Sequence, residues 1–372
     1  MKYCKKCLLP STKPYIIFNE EGVCNACIAN EQKNRIQGGI NWNNRKKDFE
    51  TIVLTAKTKQ NPYYDALVPV SGGKDSFTQI HRLLQYNVRI LAVNVDYGIK
   101  TEIGHYNLTR IAEIANLMIY RPDLSLHKKL VRIGFEDFGD PDLLSHTLLH
   151  AFPLHVAQKF NIPLVLLGEN SAFEYGGDKK VAKLNHITSE WFRNYAANSG
   201  YDAKYISKQY NIPIEELTLY DIPTDFEQSD IQAIFMSYYF FWDSLKHLSI
   251  AKQYGFKELN EPSEGTFRNY VGIDEKINRI HQFLKVLKFG YGRATDHACD
   301  DIRNGRIGRE EAKKLVRQHD LQMLSDYYIN DFIEFIGMAK QQFYDILESY
   351  YNQSIWKKNI KGDWYIPDHL NG

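Results

Sequence analysis

Residues Ser71-Gly72-Gly73-Lys74-Asp75-Ser76 lie between a short apolar run, Ala66-Leu67-Val68-Pro69-Val70, and a stretch of helical spacing from Lys74 to Tyr86. No other feature limits the possible folds as strongly. Two glycines at a strand-to-helix junction let successive backbone N–H groups converge on one concavity, and the positive helix end adds to it. Such a turn binds an anion of the phosphate type. Ser71 and Ser76 can donate their hydroxyls, Lys74 can neutralise charge, and Asp75 can help to hold Mg²⁺. The spacing is not that of a Walker loop, in which four residues separate the first glycine from the Gly-Lys pair. Here the lysine follows the two glycines directly.

Further strand and helix signals alternate along the chain. Arg89–Asp96 and Ile162–Gly168 read as strands and 117–120 as a weaker one, with helices expected over 102–116 and 144–160. Pro69 has no N–H for a ladder and is expected at its strand's end. This alternation predicts an α/β fold, a doubly wound parallel sheet with sites at the carboxyl ends of its strands. Residues 28–62 read as a polar, mostly helical connector broken at Gly38-Gly39. After about residue 225 the pattern becomes chiefly helical, roughly over 230–255, 274–288, 294–304, 308–318 and 326–352. The expected division is a ribbon and connector at 1–45, the loop-bearing α/β domain at 46–228 and a mainly helical region at 229–372.

Four of the five cysteines fall within the first 27 residues. Cys4 and Cys7, then Cys24 and Cys27, form two C-x2-C knuckles separated by sixteen residues, the pattern of a structural zinc ribbon. The intervening stretch, with Pro10, Pro14 and Glu21-Gly22, suits a hairpin. Forty-six basic residues balance 45 acidic ones for a net charge of +1, which gives no field to gather nucleic acid over the whole surface. No apolar run approaches the roughly 20 residues of a membrane span, and none follows the basic N-terminus as a signal would require. The expected location is cytoplasmic, with no membrane partner.

The hexapeptide resembles the pyrophosphate (PP) loop SGGxDS of the ATP-pyrophosphatases, whose fold is of the adenine nucleotide alpha hydrolase type. Two further segments narrow the resemblance: Gly168-Glu169-Asn170 with Glu174-Tyr175-Gly176-Gly177, and Phe289-Gly290-Tyr291-Gly292-Arg293-Ala294-Thr295-Asp296. Together with the ribbon, in this order, the chain is similar to the N-acetyl sugar amidotransferases of bacterial surface-polysaccharide and nonulosonic-acid synthesis, over nearly its whole length. The resemblance implies ATP cleavage between the α and β phosphates and adenylation of an acetamido oxygen on an activated N-acetyl sugar. Ammonia then displaces AMP to give an acetamidino sugar. It implies ATP, Mg²⁺ and structural Zn²⁺ as cofactors. ATP would be bound by Ser71, Gly72, Gly73, Lys74, Asp75, Ser76, Asp96 and Gly168. Lys74, Asp75, Glu169 and Glu174 are the expected catalytic residues, and Asn170, Tyr175, Gly176, Gly177, Arg293 and Asp296 the expected substrate contacts. Each of the two glutamates could instead serve as a helix cap or ion-pair partner, and Asp96 as a structural cap.

Cys299 is the one cysteine outside the ribbon, in a helical context without a nucleophile elbow, and it reads as a packed residue. A glutaminase needs a nucleophilic Cys with a His partner. Ammonia is therefore expected from a separate glutaminase, which in the family resembled is like the glutaminase–cyclase pair of histidine biosynthesis. The competing reading is a PP-loop enzyme that thiolates tRNA or forms lysidine. Thiolating relatives need further cysteines, which this chain lacks.

Overall fold

Five short apolar segments build one parallel sheet in the computed structural model, which is described at all residues except 36, 196–199, 368 and 372. The strands are β1 (Ala66–Pro69), β2 (Ile90–Val95), β3 (Asn116–Tyr120), β4 (Leu164–Leu167) and β5 (Gln232–Phe235), in the order β3-β2-β1-β4-β5. Parallel strands need crossovers, and here these are helical. The N-terminal half contains α1 (Asn25–Asn34), α2 (Trp42–Thr58), α3 (Lys74–Leu84), α4 (Glu102–Ile111), α5 (Leu124–Phe138), α6 (Leu143–Lys159), α7 (Ser171–Tyr175), α8 (Ser189–Tyr195) and α9 (Ala203–Tyr210). Then follow α10 (Met236–Tyr239), α11 (Ser244–Gln253), α12 (Asn278–Phe289), α13 (Arg293–Arg303), α14 (Arg309–His319), α15 (Asp326–Ile336) and α16 (Lys340–Ser349). A two-stranded hairpin, Lys357–Lys358 with Trp364–Tyr365, lies near the end.

Because side chains alternate along a strand, a sheet buried on both faces sends odd and even residues to different cores. Leu67, Leu91, Val93, Val165 and Phe235 join the core under α5 and α6. Ala66, Val68, Ala92, Leu166 and Ile234 join the core under α2, α3 and α4. The sheet is thus covered on both sides, as the alternation predicts. Pro69 is the last residue of β1.

Three expectations for the elements are corrected. The segment read as one helix from about 230 to 255 begins with strand β5, and α10 and α11 follow separately. A four-residue segment with three apolar residues cannot be told from a helix by periodicity, and pairing with β4 decides it. The sheet therefore runs past the boundary drawn at residue 228. The helix expected over 326–352 is two, because Gly337 takes a left-handed conformation at φ +65° and ends α15. Helix α5 was not anticipated.

The first 27 residues do not stand apart. Leu8 and Leu9 share a small core with Tyr291, Ala298, Ala312 and Val316, and the Leu8 N–H donates to Cys299 Sγ at 3.2 Å. The ribbon is seated on α13 and α14, and Cys299 is the buried residue beneath it. No helix among the described residues is long and apolar enough to cross a membrane.

Phe77 is fully buried between the sheet and α11, edge-on to Phe256 at 5.8 Å. Truncation there removes a large side chain from a closed core. Phe77→Ala is expected to cost about 3–5 kcal/mol, read as a lowered urea midpoint with an unchanged slope.

Candidate active site

In the observed strand order, the connections from β1 and β4 leave in opposite directions, and the crevice between them is where open α/β sheets bind ligands. The hexapeptide follows β1 and the 168–178 segment follows β4. Between them opens a cavity of about 680 Å³. It brings Ser71, Gly73, Lys74 and Asp75 together with Glu169, Tyr175, Gly177, Arg293 and Asp296. Residues more than 200 positions apart thus share one wall-to-wall space.

The loop is held by its own serines. The Ser71 N–H donates to Ser76 Oγ at 3.2 Å, and the Gly73 N–H donates to Ser71 Oγ at 3.1 Å. Gly72 has φ +98°, and a Cβ there would meet the Gly104 carbonyl at 2.9 Å, so only glycine fits. Lys74 opens α3, where first-turn N–H groups have no intrahelical acceptor. Lys74 Nζ lies 2.8 Å from Asp75 Oδ2, and His247 Nδ1 lies 2.6 Å from Asp75 Oδ1. Burial raises the Asp75 pKa, but the Lys74 and His247 charges outweigh it and hold the carboxyl well below its usual range. His247 was missed at the sequence level. It comes from α11, whose helical pattern carries no sign of an active-site role.

The two glutamates separate. Glu169 lines the cavity, and Tyr175 Oη donates to its Oε1 at 3.4 Å. Burial, then the nearby Asp75 charge, pushes the Glu169 carboxyl up to about 7. Glu174 faces away from the cavity and forms a buried ion pair with Lys33 of α1. It links the connector to the sheet domain, the ion-pair role left open above.

The other expected contacts divide in the same way. Asn170 caps α7, accepting from the Ala172 N–H at 3.1 Å, and its amide donates to the Val181 carbonyl at 2.8 Å. Its side chain is thereby used in local structure. Gly176, at φ +79°, lies against Asn25 and Ala26 of α1, and Gly168 lies under Trp242. Asp96 is not among the residues lining the cavity; it is ion-paired with Arg121 and accepts from the Gly98 N–H at 2.9 Å.

Arg293 and Asp296 begin α13, and the start of that helix is fixed by a residue the sequence did not single out. Asp320 accepts from the N–H of Gly292 at 2.7 Å, from the N–H of Thr295 at 3.0 Å and from the Thr295 hydroxyl at 2.6 Å. A Cβ on Gly292 would meet Asp320 at 2.7 Å, which explains the glycine before Arg293. Asp296 pairs with Lys285 of α12. Arg293 has no ion-pair or hydrogen-bond partner among the described residues. Residues 271–274, also without a sequence signal, form the wall next to Arg293, whose guanidinium lies against Gly272. This strap is pinned to the start of α4 where the Thr101 N–H donates to the Asp274 carbonyl at 3.0 Å. Trp242 is largely core, with one edge on the cavity.

In the ribbon, Cys4, Cys7, Cys24 and Cys27 are buried, with their sulfurs all within 4.8 Å of one another. Cys4 and Cys27 sulfurs are 4.0 Å apart, and those of Cys7 and Cys24 are 3.7 Å apart. Tetrahedral bonds of about 2.3 Å would put thiolates roughly 3.8 Å apart, so the set could hold a metal such as zinc. The N–H groups of Cys7 and Cys24 point at Cys4 Sγ at 3.4 and 3.2 Å, a geometry that stabilises a thiolate. Elemental analysis should find about one zinc per chain. Cys24→Ala should lose it, together with several kcal/mol of stability.

Residues 264–368 match the family model described as LPS biosynthesis protein WbpG-like, C-terminal domain. The match spans the strap, α12, the start of α13 with Arg293, and the terminal hairpin. No curated protein matches the chain.

Proposed function

We propose that this chain is an ATP-dependent amidotransferase of lipopolysaccharide biosynthesis that converts an acetamido group of an activated sugar into an acetamidino group. The observation that carries the reading is the single cavity shared by the anion-binding loop, a carboxyl group with a neutral-range pKa and an unpaired arginine. The similarity of residues 264–368 to a lipopolysaccharide-biosynthesis domain supports the pathway class.

An amide oxygen is a poor leaving group. Attack of that oxygen on the α phosphorus of ATP releases pyrophosphate and leaves an O-adenylyl imidate. Ammonia then adds to the imidate carbon, AMP departs with the oxygen, and one proton is lost to leave the amidine. Charge builds on pyrophosphate in the first step, where Lys74 and the first-turn N–H groups of α3 would stabilise it. Asp75, ionised and facing the cavity, is the residue to hold Mg²⁺, which would neutralise the same phosphates. Glu169 is suited to the second step. With a pKa of about 7 it is partly ionised at neutral pH and can accept the proton shed by ammonia. Ammonia would come from a separate glutaminase, since among the described residues no histidine is bonded to buried Cys299.

The test is pyrophosphate release with ammonium and a nucleotide-linked di-N-acetylated sugar, with bulk tRNA as the competing acceptor. Product of the mass given by O-to-NH exchange is expected from the sugar, and release with tRNA alone would overturn the reading. Lys74→Ala should lower kcat by about 10²–10³-fold. With Glu169 as base, kcat/KM should rise as pH passes through about 7, and this rise should disappear in Glu169→Gln. The same shift affects stability. An unfolded Glu titrates near 4.5, so its folding penalty is absent below pH 4.5, grows up to about 7 and is constant above. Glu169→Gln should therefore gain stability relative to wild type across that window, measured by urea unfolding.

A further inference from the structure

The ribbon does more than cover one end of the helical region. Its hairpin between the two cysteine knuckles reaches the cavity wall through Lys13 and Tyr15. The Thr12 hydroxyl donates to the Phe289 carbonyl at 2.5 Å, which anchors the hairpin at the last turn of α12. This sets Lys13 on the same side of the cavity as Lys285, Lys288 and Arg293, all of which line it.

Few of the cations on that side are tied to a partner. The carboxylates near them are Asp296, already paired with Lys285, Asp140, paired with His281 at 2.7 Å, and Asp142, which acts on Arg293 only through space. Asp274 lines the cavity nearby but bonds none of the four cations. Lys13 and Arg293 have no acceptor among the described residues, and Lys288 has only the Phe138 carbonyl at 3.3 Å. Lys13 and Lys285 are close enough to repel, and burial further disfavours the charged form of Lys13. Partly buried, mutually repelling cations are costly unless an anion joins them. Arg293 also opens α13, where a cation opposes the helix dipole. A guanidinium there, on a cavity that Lys13, Lys285 and Lys288 also line, suits an anionic oxygen cluster.

We infer that the ribbon hairpin completes the acceptor site, with Lys13, Lys285, Lys288 and Arg293 forming a subsite for an anionic group of the acetamido substrate, either a phosphate or a carboxylate. Calling this the acceptor's subsite rests on the amidotransferase reading above. The ribbon then has a direct part in recognition, and its metal would act on the substrate by holding Thr12 and Lys13 in place.

The experiment is calorimetric titration of the full chain saturated with an ATP analogue carrying a methylene bridge between the α and β phosphorus atoms. Two probes separate the sources: UDP-N-acetylglucosamine carries a diphosphate and no carboxylate, and N-acetylneuraminate carries a carboxylate and no phosphate. Lys13→Met keeps the apolar stem and removes the charge. It should weaken one of the probes by about tenfold or more while the ATP analogue binds within about twofold of wild type, and the affected probe identifies the anion. Lys13→Arg should recover most of the loss. Zinc content and the thermal midpoint of Lys13→Met should match wild type; if they do not, Lys285→Met, outside the ribbon, serves as the variant. Unchanged affinity for both probes, a parallel loss of ATP-analogue affinity, or no binding of either probe to wild type would overturn the subsite. Binding needs no turnover. A chain that holds an anionic probe through Lys13 but releases no pyrophosphate with any acetamido sugar keeps the subsite and loses the reaction.

Discussion

A parallel sheet must be covered on both faces, and the rest of this molecule follows from that requirement. Helices α5 and α6 cover one face and α2, α3 and α4 the other, so the central strands β1, β2 and β4 have no solvent-facing side to use for a ligand. What stays open is the edge above β1 and β4, where the two outgoing loops part. All later parts of the chain close around that edge. Helix α11 supplies His247 from one side, the strap at 271–274 forms a second side, and α12, α13 and the ribbon form a third. The ribbon, distant in sequence from the helices it sits on, is best understood as a wall of this crevice.

Such walls need to be rigid, and a network of ionic contacts that starts at the cavity lining with Arg268 and Asp300 and runs behind it supplies that rigidity. Arg268 lies 2.9 Å from Asp300 and 2.7 Å from Asp301, and Arg306 reaches both of these and Asp243. Asp243 in turn caps α11 through the Leu245 and Lys246 N–H groups. The network therefore joins the start of the helix that carries His247 to the helix that carries Arg293. A buried ion pair is a poor source of net stability, because desolvation offsets the attraction. Its value here is positional: removing one partner would leave a buried charge unpaired and let two cavity walls shift together.

How much of this could be read from the sequence depends on whether the relevant physics is local. The Ser71–Ser76 loop was legible because two glycines, a strand and a helix start determine one conformation within six residues. The cysteine knuckles were legible for the same reason, since ligand spacing encodes the tetrahedron. Strand β5 was not, because Gln232–Phe235 is too short for its period to register and becomes a strand only by pairing with β4. His247, Asp320 and Lys13 were invisible because their partners lie 172, 28 and more than 270 residues away, on elements whose own patterns are ordinary. Arg293 was visible through the glycines around it. The reason for them, a carboxylate cap from Asp320, was not.

Glu169 and Glu174 show the limit most clearly. Five residues apart in one motif, with the same side chain, they carry equal claims as a proton acceptor. Their difference is made by other parts of the chain. Lys33 meets Glu174, so the carboxyl is tied up in the joint between α1 and α7, although burial still outweighs that partner and raises its pKa. Glu169 is also desolvated, but the charge that acts on it most is another carboxylate, Asp75, whose own charge is stabilised by Lys74 and His247. Burial is the larger cause of the raised proton affinity of Glu169, and the ionised Asp75 beside it adds to the shift toward neutrality. The loop that would bind phosphate thus also sets the proton chemistry of the neighbouring segment, and a mutation that removes His247 should act on both.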